Sequence, residues 1–340
     1  MNVRLAFLSV CSLALAACAS QTPQQPAQPP PGYYPQQPGA YPQQPGAYPQ
    51  PPQQGGIVVQ PPPQQAQAAQ QTRPLIAPLT AADWGPESRA VLAELIAHLE
   101  PQYQSKVTGM PLQIDPDPTE VNAYSTCTDT GAPFVAVTQG LLEAVDGIAQ
   151  TRATDELFGT QTYAAYVNAV IPSLIRPKGR AALPPNIIPA QYVNLPQRLS
   201  RAHEMFDDII AFTVGHELAH HYLGHTGCRG TVGPIDLLGG WRIATSIIQP
   251  LNQANETAAD TYGCYDTLAT GAARRPLYRW SEKGGLLLFD FLSRLENAIG
   301  ATPLNPIAYF QSHPPTYLRI AWVQGAANAW YAAHPAVPRN

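Results

Sequence analysis

Residues 19–78 of this chain have a composition that cannot form a hydrophobic core. They contain 17 of the protein's 38 prolines and a single charged residue, Arg73. The near repeat PGAYPQQPGAYPQ, residues 38–50, has no apolar periodicity. Such a segment is typical of a tether that mixes flexible coil with polyproline helix. A folded domain is therefore expected only in residues 79–340.

The first 18 residues have the layout of an export signal. Arg4 is followed by an apolar run, residues 5–17, that ends in LAAC, residues 15–18. Thirteen helical residues rise only ~20 Å, which is too short for a hydrocarbon core of ~30 Å. LAAC resembles a bacterial lipobox, which would make Cys18 the lipidated N-terminus of the mature chain. Because Ala19 follows it, the resemblance implies an outer-membrane lipoprotein facing the periplasm.

The charge balance of residues 79–340 excludes some partners. This segment carries all 23 acidic residues and 17 of the 19 basic ones, which leaves a net charge of −6. A negative domain argues against nucleic acid as a partner, and without a polybasic patch membrane attachment would depend on the lipid anchor. Its 262 residues are enough for one large domain.

Periodicity in this segment predicts an α+β fold that is mainly helical. Two short β-prone runs around a Thr/Asp/Gly turn, residues 121–138, predict a small antiparallel hairpin. Residues 172–196 contain several prolines and no clean period, which predicts a long loop or lid. Apolar residues at helical spacing predict helices over residues 86–99, 141–157, 198–222, 286–298 and 315–332.

Residues 216–220, HELAH, follow the pattern H-E-x-x-H. Residues four apart on a helix share a face, so the imidazoles of His216 and His220 can bind one zinc ion. Glu217 would then lie beside the open position of the metal. There it can accept a proton from bound water and deliver it to the leaving amine of a peptide.

Residues 256–260, ETAAD, supply the remaining polar groups that such a site needs. Glu256 and Asp260 share a helix face, and we expect Glu256 to complete a site for one Zn²⁺ ion per chain. Asp260 is expected to hold the far ring nitrogen of a ligating histidine. Without the two histidines, a helix with two solvated acids would be the simpler interpretation.

The motifs HELAH, ETAAD and SHPP, residues 312–315, with Arg319 four residues later, resemble metallopeptidase family 48 in order and spacing. This family contains gluzincin proteases of the HtpX, Oma and BepA types, and the resemblance covers about residues 120–322. It implies a zincin domain in which an edge strand flanks the active-site helix and pairs with an extended substrate. That strand would include Phe134, Val135 and Ala136, and Asn122 would help to position the substrate.

The resemblance also implies roles for two residues near the C-terminus. His313 would lie at the cleft and stabilise the oxyanion, and Arg319 would brace that region from its helix. A structural histidine with satisfied hydrogen bonds is the alternative for His313. His221 and His225 are expected to pack or to face solvent rather than to bind metal.

One segment departs from the family pattern. An insertion at about residues 158–208 separates the upstream family motif from the H-E-x-x-H helix. This insertion could form a lid over the site, or it could carry a residue that plugs the zinc, for which His203 is the candidate.

Three cysteines remain in the folded segment, so at most one intramolecular disulfide can form. Cys228 and Cys264 each follow a predicted metal-binding segment, and their pairing is favoured over one with Cys127, although spacing alone does not determine connectivity.

Together these patterns predict a zinc metalloendopeptidase that hydrolyses misfolded or unassembled cell-envelope polypeptides. Two alternatives remain open. One is a catalytically silent or latent zinc-containing chaperone or binding lipoprotein, and the other is a purely structural envelope lipoprotein.

Overall fold

The computed structural model describes residues 74–233, 253–300 and 313–339. The predicted export signal, Cys18 and residues 19–73 of the predicted tether lie outside these ranges, as does Ser312. All of the described residues belong to one compact unit. No helix within them is long and apolar enough to cross a bilayer.

The described residues are mostly helical with a small sheet, which confirms the α+β class. The five helices expected from periodicity are present with ends shifted by a few residues. The elements are α1 Trp84–His98, α2 Pro101–Val107, β1 Leu112–Asp115, β2 Ala123–Cys127, β3 Pro133–Thr138, α3 Gln139–Phe158, α4 Thr162–Leu174, α5 Pro196–Tyr222, α6 Gln253–Ala273, α7 Glu282–Ile299 and α8 Thr316–Ala333.

The sheet has the strand order β1-β3-β2. Strands β2 and β3 pair antiparallel, which confirms the predicted hairpin, but β1 pairs parallel to β3 and makes the sheet mixed. The sequence analysis missed β1 because its four residues are too short to show a period.

This strand order corrects the prediction for Phe134, Val135 and Ala136. They lie on β3, which is the central strand, and both of its edges are already hydrogen-bonded to neighbouring strands. All six residues of β3 are buried. These three residues therefore cannot bind a substrate by edge pairing, and β2 is the outer strand on the α5 side of the sheet.

Helix α5 passes through the centre of the domain. It packs against α1, α3, α6 and α7, and its middle section is buried on every side. The side chains of Ile209, Ile210 and Val214 are fully buried, and each contributes ~1.5–3 kcal/mol relative to exposure. A helix covered on all sides must be apolar around its circumference, so polar side chains within it need specific partners.

The insertion forms a packed layer, so of the two alternatives, a loop or a lid, the structure favours the loop. Helix α4 packs on α3 and α7, and residues 175–195 form the predicted loop. The Tyr166 hydroxyl donates to the carbonyl of Ala181, and the Arg198 side chain donates to the carbonyls of Tyr192 and Val193. Among the described residues, none from 158–208 lines the cavity beside the predicted metal site.

The disulfide joins Cys127 to Cys228, so the favoured pairing of Cys228 with Cys264 is wrong. Cys127 ends β2 and Cys228 follows α5, and their Cα atoms lie 5.6 Å apart. Cys264 is buried in α6, where its thiol faces the Val323 carbonyl of α8. The bond ties the outer strand of the sheet to the segment that follows the H-E-x-x-H residues.

Candidate metal centre

The backbones of α5 and α6 approach very closely at the predicted site. A Cβ atom placed on Gly263 would lie 2.7 Å from the backbone nitrogen of His216, which is closer than real Cβ atoms come. Glycine at this position therefore permits the contact. The close approach brings the ETAAD residues of α6 against the HELAH residues of α5.

Three predicted ligands meet at this crossing, and we call His216, His220 and Glu256 the C-terminal cluster of α5. The Nε2 atoms of His216 and His220 lie 3.1 Å apart. The two carboxylate oxygens of Glu256 lie 3.6 Å and 3.4 Å from these nitrogens. Tetrahedral zinc with bonds of about 2.1 Å separates its ligands by roughly 3.4 Å. The spacing therefore suits one small metal ion.

The Glu256 carboxylate gives the clearest sign that a cation belongs here. Its side chain is fully buried, and neither oxygen accepts a hydrogen bond from any residue that the structure describes. A buried carboxylate without donors is strongly unfavourable unless a cation compensates it. His/Glu groups at this position can hold a metal ion.

Asp260 and Arg319 hold His216 in a metal-binding orientation. The Oδ1 atom of Asp260 lies 3.0 Å from Nδ1 of His216. The Arg319 guanidinium donates to both carboxylate oxygens, at 2.7 and 3.0 Å. Burial alone would raise the pKa of Asp260, but Arg319 and His216 lower it well below its usual range. The ionised carboxylate keeps a proton on Nδ1 and leaves the Nε2 lone pair free to bind metal.

His220 is held by His225, a contact that the sequence analysis did not predict. The Nδ1 atoms of the two rings lie 3.0 Å apart, and the His225 backbone N–H donates to the His220 carbonyl. Burial lowers the pKa of His220 well below its usual value, so its ring is neutral. His221 packs as expected, because its Nε2–H donates to the Phe134 carbonyl at 2.9 Å.

Glu217 lies beside the cluster and receives a hydrogen bond from the sheet. Its Oε1 atom is 3.9 Å from Nε2 of His216, and Oε2 accepts from the Ser125 hydroxyl at 2.9 Å. Burial raises the pKa of Glu217, which suits a group that both accepts and returns a proton. Ser125 was missed because only the alternation of β2 indicates it, with Ala123, Ser125 and Cys127 on one face.

A cavity next to Glu217 is lined mainly by apolar side chains, together with a few polar ones. Asn122 lines it, and its Oδ1 atom accepts no hydrogen bond within the described part of the chain. The other amide atom, Nδ2, donates to Glu120 at 2.9 Å. Asn122 thus lines the cavity with one amide acceptor that has no hydrogen bond from the described residues, and it was expected to help position a substrate.

His313 lies on the same side of the cluster as this cavity. Its Nε2 atom is 3.5 Å from Oε2 of Glu256, and its ring centre is 5.7 Å from that of His216. Its side chain is only 6 % exposed. The structure thus places His313 at the predicted cleft, within reach of both the cluster and the cavity.

His203 does not approach this centre, so it cannot plug a metal ion there. Its ring contacts the Ala77 carbonyl and the carboxylates of Glu87 and Asp207. Thirteen residues of helix, or ~20 Å, separate it from His216.

No protein-family model, no curated protein and no solved structure matches this chain.

Proposed function

We propose that this protein is a zinc-dependent endopeptidase. The observation that carries the proposal is the meeting of two histidines and a buried, hydrogen-bond-deficient glutamate from separate helices, with Glu217 beside them. Each of these residues was selected from the sequence for a specific chemical role. Metal-assisted hydrolysis needs this combination of ligands, proton acceptor and adjoining cavity.

Glu217 would act as general base and then as general acid. His216, His220 and Glu256 would hold a zinc ion, which would lower the pKa of a nearby water molecule and so make a nucleophilic hydroxide available for attack on a peptide carbonyl. The Glu217 carboxylate accepts the proton of that water and delivers it to the nitrogen of the departing amine. Ser125 orients the carboxylate, and its hydrogen bond favours the ionised form. Asp260 and His225 hold the two ligating imidazoles.

We propose that the substrate is an extended polypeptide that lies along β2 rather than β3. β2 carries Ser125 next to Glu217, and within the described residues it has a strand on one side only. Unpaired backbone groups at a strand edge can bind an extended chain of any sequence. His313 and Asn122 line the space next to this edge, where an oxyanion and a substrate amide would lie.

The cellular role that fits best is removal of misfolded or unassembled envelope polypeptides. The export signal and lipobox pattern support an outer-membrane lipoprotein that faces the periplasm. The Cys127–Cys228 disulfide is compatible with that oxidising compartment.

The first test compares zinc content and casein cleavage for the wild type and Glu217→Gln. We expect the variant to keep its zinc, because the three proposed ligands remain, and to lose cleavage activity by ~10²–10⁴-fold. Glu100→Gln, a change at an exposed glutamate, is the matched control and should behave as wild type.

Casein cleavage that survives in Glu217→Gln would remove this residue from catalysis. A zinc-loaded wild type that cleaves no unfolded protein would instead favour a zinc-containing chaperone or binding lipoprotein. A wild type that binds no zinc would contradict the metal site itself.

A further inference from the structure

A second cluster of metal-binding side chains lies near the other end of α5. His203 and Asp207 are four residues apart on α5 and share a face, and Glu87 faces them from the first turn of α1. We call these three residues the N-terminal cluster of α5. One ligand atom from each lies within 4.8 Å of the others.

The distances within this cluster suit metal ligands better than hydrogen bonds. Nε2 of His203 lies 3.6 Å from Oε1 of Glu87 and 3.6 Å from Oδ1 of Asp207. Hydrogen bonds of this type are normally shorter than ~3.2 Å. These two separations from His203 equal the longest ligand-to-ligand distance in the C-terminal cluster, where the distances run from 3.1 to 3.6 Å. They also lie near the roughly 3.4 Å expected between ligands of tetrahedral zinc.

The His203 ring is oriented as in established metal sites. Its Nδ1 atom lies 2.5 Å from the backbone carbonyl of Ala77. A carbonyl only accepts hydrogen bonds, so Nδ1 carries a proton, and Nε2 is the ring nitrogen that faces the two carboxylates. A hydrogen bond from the far nitrogen to a carbonyl is a common support for a ligating histidine.

Asp207 supplies an independent indication of a bound cation. Its side chain is 7 % exposed, and Oδ1 accepts no hydrogen bond from the residues that the structure describes. The nearby Arg274 guanidinium bonds instead to Glu94 at 2.7 Å. The unpartnered oxygen is the one that faces His203.

From these contacts we infer that Glu87, His203 and Asp207 form a second zinc site, with solvent in the remaining position. One imidazole and two carboxylates suit a divalent transition-metal ion, and two carboxylates balance its charge. Glu87 is 30 % exposed, which gives the ion access from solvent. The ion would join α1 to α5 and fix the segment at Ala77.

A protonated His203 between two carboxylates is the competing explanation. It would bring an N–H within hydrogen-bond distance of at least one carboxylate oxygen, whereas both separations are 3.6 Å. The second site is independent of the proposed peptidase, because none of its ligands lines the cavity beside Glu217.

The test is the zinc content per chain of the full-length protein after dialysis against metal-free buffer. We expect two zinc ions in the wild type, and one each in His203→Ala and in the double variant His216→Ala/His220→Ala. The combined triple variant should hold none. His98→Ala removes an exposed histidine whose ring bonds to the carbonyl of Glu94 in its own helix, so it should keep two ions.

Asp207→Asn and Glu87→Gln preserve the shape of the side chain and replace His203→Ala in this test if that variant does not fold. Each should also lower the zinc content from two ions per chain to one. Zinc should raise the melting temperature of His216→Ala/His220→Ala, and the additional His203→Ala change should abolish this shift. A double variant without zinc, or a folded His203→Ala or Asp207→Asn that still holds two ions, would overturn the inference. These results do not depend on whether the protein cleaves casein.

Discussion

The two clusters on α5 use the same local geometry in different surroundings. In each, two side chains four residues apart on this helix meet an acidic side chain from another helix. The side chains of the C-terminal cluster are at most 3 % exposed. Those of the N-terminal cluster are 7, 12 and 30 % exposed. Spacing along one helix can therefore produce a metal-binding cluster without indicating what it does.

The groups around each cluster mark the difference in role. At the C-terminal cluster, Asp260 and His225 hold the two imidazoles, and Glu217 adjoins a cavity. At the N-terminal cluster, one backbone carbonyl orients one imidazole. Glu204 follows His203 as Glu217 follows His216, but its carboxylate forms an ion pair with Arg201 at 3.0 Å. Rigid support and a buried proton acceptor are what hydrolysis requires. We therefore propose a catalytic role for the C-terminal cluster and a structural role for the N-terminal one.

The strongest test of this contrast removes the buried support of the C-terminal cluster. Arg319→Leu removes the cationic partner of the buried Asp260 carboxylate, since the pair is 3 % and 0 % exposed. We expect a loss of ~3–5 kcal/mol in the free energy of unfolding, measured with denaturant on metal-free protein. Arg294→Leu is the control, because that ion pair with Asp290 is 50 % and 36 % exposed and should contribute ~0–1 kcal/mol. Equal losses in both variants would show that the buried pair has no special importance.

A smaller effect is expected where α5 and α6 touch. Gly263→Ala places a methyl group against the His216 backbone, and we expect a loss of ~1–3 kcal/mol in unfolding free energy. Zinc affinity should fall with it, because the ligands from the two helices move apart. Gly325→Ala in α8 is the matched control, since its Cβ meets no atom within 4 Å and should be neutral or stabilising. If Gly263→Ala binds zinc like the wild type, the close approach does not set the ligand geometry.

The smallest effect is expected from removing the hydrogen bond between Ser125 and Glu217. The Ser125 hydroxyl stabilises the ionised carboxylate, so Ser125→Ala should raise the pKa of Glu217. Because the base must be ionised to accept a proton, the acidic limb of the kcat/KM profile should move to higher pH. Ser125→Thr keeps the hydroxyl and should restore the wild-type profile. An unchanged acidic limb in Ser125→Ala would mean that Glu217 does not produce it.

The helices and the ligand residues could be predicted because the relevant information is local. Four-residue spacing places His216 and His220 on one face of α5, and it places Glu256 and Asp260 on one face of α6. This holds whatever the rest of the chain does. The strand pairing was harder to predict from the sequence. The hairpin of β2 and β3 has a local signal, whereas the parallel pairing of β1 joins residues that are far apart in sequence.

Errors in the sequence analysis share this long-range character. The partner of Cys228 proved to be Cys127, which is 101 residues away, and no spacing rule distinguishes it from Cys264. His203 could be recognised as a possible ligand, but its partner Glu87 lies on a helix more than 100 residues earlier. Such pairings depend on which helix faces pack together.

The sequence by itself determined which residues can act at the centre of this protein. It identified the helix that carries the two histidines and showed that the nitrogen and oxygen atoms of these residues could bind a metal ion, because residue chemistry and helical repeat are properties of short segments. Only the tertiary structure decided that β3 is central, that Ser125 contacts Glu217 and that His203 faces Glu87. These are contacts between distant segments, and they form where burial of apolar faces brings α5 against its neighbours.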